Sequence, residues 1–141
     1  WAPEDERAFK ALVDNLASQY DTYTALPGLN LNGRLTLGEN IGDLGGLSVA
    51  LEAYRLSLDG KPAPVLNDLT GEQRFFLGWA QVWRNLMRDE RLRAQVLSGP
   101  HSPPRFRVNG VVRNMDAWYE AFDVQPEDAL YLPEEQRVRI W

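Results

Sequence analysis

Residues 36–46 read TLGENIGDLGG, and this stretch gives the clearest indication of the local fold. Thr36 followed three residues later by Glu39 has the spacing of a capping box, which predicts that a helix begins at about residue 37. Apolar residues at helical spacing continue this helix to about residue 58. The glycines at 42, 45 and 46 each cost on the order of 1 kcal/mol relative to alanine, so we expect another element to pack closely against the helix.

Capping signals and apolar spacing predict further helices on both sides of this one. Thr70 and Gln73 repeat the capping-box spacing, and Pro3 ahead of three acidic residues is typical of a helix start. Asn114 is expected to cap the last helix. The predicted ranges are residues 3–22, 71–88, 90–97 and 115–122. The sequence therefore predicts a mainly α fold, organised as a single helical domain with irregular loops.

Prolines and glycines mark the segments that are not expected to be helical. Three prolines within residues 100–104 exclude a helix around His101, because proline removes a backbone donor and constrains its neighbours. The sequence VNGV at 108–111 predicts a tight turn between short extended pieces. The tail from 126 to 141 mixes prolines with charges, and we expect it to wrap around the domain.

The composition restricts the classes of partner and site. With 141 residues and 44% hydrophobic content, the chain has the size of one ordinary domain. A formal net charge of -5 argues against a nucleic-acid or anionic-membrane partner, and no stretch approaches the roughly 18 apolar residues of a membrane span. The absence of cysteine excludes thiolate ligands, and the single histidine, His101, cannot by itself complete a two-histidine metal site.

Glu39 and Asp43 lie four residues apart on the predicted helix, so their carboxylates project from one face. One interpretation is structural: Glu39 closes the capping box with Thr36, and Asp43 is solvated in the first turns. The other is chemical: one carboxylate binds a metal ion while the second orients a ligating imidazole, although no further ligand is visible nearby. The spacing alone leaves both interpretations open.

His101 also has two interpretations. A lone histidine on a proline-rich loop can be an ordinary surface or hydrogen-bonded structural residue. Its rigid setting, with Arg105 and Arg107 following closely, could instead bind the oxyanion that develops during acyl transfer. The residues themselves do not decide between these.

Short motifs spread over nearly the whole chain occur together in a known order. They are NG at 32–33, TLGENIGDLGG at 36–46, FFL at 75–77, AQVW at 80–83, HSP at 101–103, FR at 106–107 and RIW at 139–141. In this order and spacing the chain resembles the neprilysin family of zinc endopeptidases, whose Glu-Asn-x-x-Asp segment matches residues 39–43. Separated matches at compatible spacing are far more specific than one short motif.

The resemblance implies the carboxy-terminal lobe of a gluzincin, or thermolysin-like, peptidase that uses one zinc ion. Glu39 would be the third zinc ligand, and Asp43 would orient a ligating histidine. His101 would donate a hydrogen bond to the tetrahedral oxyanion, and Arg107 would hold a carbonyl or carboxylate of the peptide substrate. Trp83 corresponds to an aromatic residue near the family's primed-side apolar pocket, although packing in the core would explain it equally well.

Two features depart from the family pattern. The H-E-x-x-H helix, which supplies two zinc ligands and the glutamate that activates water, is absent from these 141 residues. We therefore expect residues 1–141 to be the carboxy-terminal part of the catalytic domain, beginning just after that helix, with the remainder of the same peptidase as partner. In addition, Gly99 stands where the family usually has an aspartate, so His101 lacks the expected orienting acid.

These features predict that the complete protein hydrolyses peptide bonds in small peptides, while the isolated chain is inactive and binds zinc weakly at best. Family members commonly act outside the cytoplasm, which favours a periplasmic or other extracytoplasmic location. Two other interpretations stay open. One is a noncatalytic helical binding domain, which Gly99 would suggest; the other is a structural fragment that docks on the amino-terminal part of the same enzyme.

Overall fold

The computed structural model describes residues 1–140, most of which are helical. The elements are α1 (Pro3–Asp21), β1 (Thr24–Leu26), β2 (Leu29–Asn30), α2 (Leu37–Ser57), α3 (Gly71–Val82), α4 (Asp89–Ser98), α5 (Pro104–Val112) and α6 (Asp116–Phe122), followed by a 3₁₀ helix at Glu134–Gln136. The two short strands pair antiparallel. The predicted mainly α fold is confirmed. Within the described range, none of the helices has the length and apolar content that crossing a membrane requires.

Two apolar clusters hold the helices together, and α5 contributes to both. The first packs α2 against α3 and α5, with Leu51, Phe76 and Val111 among its buried residues. The second packs α1 against α4 and α5, with Leu16 and Phe106 among its buried residues. Because protein interiors are close-packed, this double contact fixes α5 relative to both α1 and α2.

The bounds of the five predicted helices agree with the structure to within one residue, except at the end of α3. The capping box is confirmed: the Gln73 N–H donates to Thr70 Oγ1 at 3.2 Å, and the Thr70 N–H donates to Gln73 Oε1 at 2.9 Å. However, α3 ends at Val82 rather than at about residue 88. Leu86 is fully exposed, so a longer helix would bury no additional apolar surface there.

The turn predicted at 108–111 is wrong, because these residues lie inside α5. Pro104 occupies the first turn of the helix, where a backbone N–H has no partner within the helix, so its missing N–H costs no hydrogen bond. Val111, further along α5, is only 1% exposed. Gly110 permits close contact with α1, since a Cβ at this position would lie 2.5 Å from Tyr20 Oη. Tertiary packing has therefore overridden the local turn signal.

Asn114 does not cap α6, because Met115 occupies that position. Instead, the buried Asn114 Oδ1 accepts hydrogen bonds from the Val138 N–H at 2.8 Å and from Gln19 Nε2 at 3.1 Å. Its Nδ2 donates to the Gly110 carbonyl at 2.7 Å. Asn114 thus joins the tail to α1 and α5, and the expected packing of the tail on the domain is found at Val138.

The close packing expected at the α2 glycines is not found within residues 1–140 at Gly42 or Gly46, where an added Cβ would meet no atom within 4 Å. On the same side of α2, Val49 and Leu56 are 66% and 73% exposed. We call these four residues the open face of α2. It is apolar, and the described part of the chain leaves it uncovered.

We expect Gly33→Ala to lower the free energy of unfolding of the chain by about 1–3 kcal/mol, because the new Cβ would lie 1.9 Å from the Ala17 carbonyl oxygen. The matched control is Gly78→Ala, at an exposed position inside α3 where a Cβ meets nothing within 4 Å. This control should raise the free energy of unfolding by about 0.5–1 kcal/mol. Urea unfolding followed by circular dichroism measures both, and a Gly33→Ala variant as stable as wild type would contradict the α1 contact.

Candidate active site

Glu39 lies in the first turn of α2 but does not close a capping box. Thr36 precedes the helix, yet its side chain makes no capping bond. The Thr36 Oγ1 donates to the Asn32 carbonyl at 3.1 Å and accepts from Asn40 Nδ2 at 2.9 Å. The structural interpretation of Glu39 is therefore wrong, and its carboxylate contacts side chains from other parts of the chain.

Asp43 is the most strongly held acid of the cluster. Its side chain is only 8% exposed, so the prediction that it is solvated is also wrong. Arg107 of α5 donates from Nε to Asp43 Oδ2 at 2.6 Å and from Nη2 to Asp43 Oδ1 at 2.5 Å, which is a bidentate ion pair. These hydrogen bonds raise the pKa of Arg107 above its ordinary value, although burial opposes the change.

Trp83, the residue after α3, lies against the guanidinium of Arg107. The Arg107 Cζ is 4.0 Å from the centroid of the Trp83 ring, within the range of a cation–π contact. The ring is half-buried and also meets Trp79 edge-on at a centroid distance of 5.6 Å. Trp83 Nε1 is buried and finds no hydrogen-bond acceptor among residues 1–140. Trp83 thus belongs to the site as well as to the packing between α3 and α5.

His101 lies on the non-helical segment between α4 and α5, as the prolines predicted. Its Nε2 is 3.1 Å from Glu39 Oε2, and Arg107 Nη2 is 3.5 Å from the same oxygen. The side chains of His101 and Glu39 are 51% and 42% exposed, so this contact is open to solvent. Arg105 does not join it, and its guanidinium lies over the Phe106 ring at 5.6 Å instead.

The structure brings together all five candidate residues, which come from α2, the residue after α3, the segment before α5, and α5. They are Glu39, Asp43, Trp83, His101 and Arg107. One contact at the site involves two residues that the sequence does not single out: Ser102 Oγ donates to Asn40 Oδ1 at 2.8 Å. These two residues flank His101 and Glu39, but nothing in the spacing of the sequence connects positions that are 62 residues apart.

A metal ion would find one suitable ligand here. Glu39 offers a carboxylate that is partly exposed and not used by the helix backbone. Within residues 1–140 there is no group of three or more histidine, aspartate or glutamate side chains that could hold a metal ion. A catalytic zinc site needs three protein ligands, so Glu39 fits as one ligand of a site whose other donors lie elsewhere.

Comparison with known proteins identifies the family. The sequence model of peptidase family M13 matches residues 1–138. The chain belongs to peptidase family M13. The resemblance to neprilysin-type peptidases is confirmed at this level, while the roles of the five individual residues stay predictions.

Relatives of this M13 chain include both curated sequences and solved structures. It is 38% identical over 145 residues to human endothelin-converting enzyme 1, and 38% identical over 130 residues to neprilysin-3 of Drosophila melanogaster. These alignments cover 100% and 89% of the chain. The structure of the Mycobacterium tuberculosis zinc metalloprotease Zmp1 with an inhibitor matches the whole chain with a TM-score of 0.97 and 53% identity. The M13 chain spans only 18%, 16% and 22% of the lengths of these three proteins.

We expect Asp43→Asn to destabilise the M13 chain by about 2 kcal/mol, because Arg107 keeps its charge and loses its partner. This cost is less than the roughly 3–5 kcal/mol typical of a fully buried pair, since the Arg107 side chain is slightly exposed. Asp14→Asn is the matched control, since it removes the exposed Asp14–Arg34 ion pair and should cost less than about 1 kcal/mol. Urea unfolding of both variants measures the difference. Equal stabilities would show that the Arg107–Asp43 pair contributes no more than a surface ion pair.

Proposed function

We propose that the complete protein is a zinc-dependent endopeptidase that hydrolyses peptide bonds in small peptides. Residues 1–141 would be the carboxy-terminal part of its catalytic domain. Membership of peptidase family M13 supports this, as does the position of the Glu39 carboxylate. The observation that carries the proposal is that this carboxylate faces His101 and Arg107 rather than the backbone of its own helix. A residue with only a capping role would show the opposite arrangement.

The two acids have different roles in this proposal. Glu39 would be a zinc ligand, since its carboxylate is accessible and has no partner from the helix backbone. Asp43 is buried and already fixed by Arg107, which suits an acid that orients a ligating histidine from the remainder of the protein. The pair with Arg107 uses one lone pair on each Asp43 oxygen and leaves others for that histidine.

His101 and Arg107 would act on the substrate. The chemistry that zinc supplies when bound is activation of a water molecule and polarisation of the scissile carbonyl. His101 would donate a hydrogen bond from Nε2 to the oxyanion that develops on this carbonyl. Arg107 uses Nε and Nη2 for Asp43, which leaves Nη1 to donate to a substrate carbonyl or carboxylate. The Trp83 ring contacts the guanidinium and would border an apolar substrate side chain.

The remaining machinery would come from the rest of the same protein, including an H-E-x-x-H helix. The open face of α2 supports this, because the described chain leaves its apolar residues uncovered. An apolar helix face normally packs against another element. The chain spans only about one-fifth of the length of its relatives, so a complete protein of similar length would have room for that helix. An extracytoplasmic location stays part of the proposal.

The metal and substrate roles are separated by two variants of the complete protein. Glu39→Gln should sharply reduce bound zinc and turnover together, because it removes a charged ligand. His101→Ala should retain zinc but lower kcat by about 10²-fold, the typical cost of removing one oxyanion donor. Zinc analysis and peptide hydrolysis measure both. A noncatalytic binding domain would instead show no zinc and no turnover in the wild type, and unchanged values in both variants would reject the assigned roles.

Isolated residues 1–141 should show no peptidase activity and at best weak zinc binding, since one carboxylate offers too few ligands. Peptide hydrolysis by the purified chain, with and without a chelator, measures this. Chelator-sensitive cleavage would mean that the chain contains a complete site.

A further inference from the structure

Two buried residues that the proposed mechanism does not use lie directly beside two that it does. Asn40 follows Glu39, and Ser102 follows His101. The Ser102 Oγ donates to Asn40 Oδ1 at 2.8 Å, and both residues are only 1% exposed. This hydrogen bond therefore joins the candidate metal-ligand helix to the segment that carries the candidate oxyanion donor.

The Asn40–Ser102 bond is one end of a chain of hydrogen bonds that is buried as far as Thr36. Asn40 Nδ2 donates to Thr36 Oγ1 at 2.9 Å, and Thr36 Oγ1 donates to the Asn32 carbonyl at 3.1 Å. Because the Thr36 hydroxyl gives its proton to Asn32, it must accept from the Asn40 amide nitrogen. The amide oxygen of Asn40 then faces Ser102, whose hydroxyl must donate. The direction of every bond in the chain is thus determined.

Other restraints on His101 are weaker. Its imidazole is half-exposed, and its carbonyl accepts one exposed hydrogen bond from Gln95 Nε2 at 3.2 Å. Gly99, two residues earlier, carries no side chain, and a Cβ there would lie 2.7 Å from the Gln95 carbonyl oxygen. Gly99 therefore offers His101 no orienting group. Ser102 is the residue next to His101 that is both buried and hydrogen-bonded to α2.

We infer that Ser102 and Asn40 are positioning residues, which hold the His101 imidazole at a fixed place relative to Glu39. This inference rests on the proposed function, since it requires His101 to act on a substrate bound beside the metal ligand. Loss of the Ser102–Asn40 bond would let the segment around His101 move away from α2. A misplacement of about 1 Å can cost on the order of 10²-fold in rate, and the effect falls on the transition state rather than on substrate binding.

The experiment uses the complete protein and Ser102→Ala, which removes one buried oxygen. The matched control is Ser48→Ala on α2, whose hydroxyl donates to the Leu44 carbonyl at 2.8 Å and has no link to His101. We expect Ser102→Ala to lower kcat by about 10-fold or more with KM and zinc content unchanged, while Ser48→Ala leaves all three at wild-type values. Ser102→Cys, which keeps a weak donor at the position of the hydroxyl, should give an intermediate kcat even if the alanine variant fails to fold.

A double variant distinguishes positioning from general stability. If Ser102 acts through His101, adding Ser102→Ala to His101→Ala should cause no further loss of kcat, because the two changes remove the same contribution. An equal loss in both backgrounds would overturn the inference, as would a kcat for Ser102→Ala and Ser102→Cys equal to that of Ser48→Ala. A wild-type protein without zinc and turnover would reject the proposed function itself, and with it this inference.

Discussion

The bidentate ion pair between Arg107 and Asp43 is the contact on which the arrangement of the candidate site depends. It joins α5 to α2 through hydrogen bonds of 2.6 and 2.5 Å. A planar guanidinium donates two parallel hydrogen bonds to a carboxylate that lies in its own plane, so the pair fixes orientation as well as distance. Glu39 lies one helical turn before Asp43, and Trp83 stacks on the same guanidinium. The pair therefore sets the positions of the candidate metal ligand and of the aromatic residue together.

The position of Arg107 in turn depends on how α5 is packed. Gly110 lets α5 approach Tyr20 of α1, and the Tyr20 hydroxyl donates to the Phe106 carbonyl at 3.3 Å. Val111 is buried against α2 and α3 on the other side. With α5 held from both sides, Arg107 has little freedom to leave Asp43, which makes the site part of the core rather than an addition to the surface.

The sequence predicts most of the helices because their apolar residues recur at helical spacing. Pro3 and the capping box of Thr70 and Gln73 also mark the starts of α1 and α3 correctly. The sequence fails at 108–111, where a local turn signal opposes a helix that is stabilised by burial of Val111 and by the Gly110 contact. It cannot decide the role of Glu39, since a cap and a metal ligand need the same residue at the same position. The structure excludes the cap, because the Thr36 hydroxyl accepts from Asn40 instead of from the helix backbone. Hydrogen bonds between side chains have no periodicity, so the sequence does not predict this one. The residues themselves single out Glu39, Asp43, His101 and Arg107, and the family resemblance adds Trp83 and the individual roles. The contact between Asn40 and Ser102 required the structure.

Glu39 is proposed to belong to a zinc site whose other ligands lie on the remainder of the protein. A crystal structure of the complete protein with zinc bound would show whether it does. We predict a Glu39 carboxylate oxygen at roughly 2.0–2.2 Å from the metal, with His101 released from Glu39. A fully coordinated zinc ion that lies beyond bonding distance of Glu39, with this carboxylate still paired to His101, would contradict the claim.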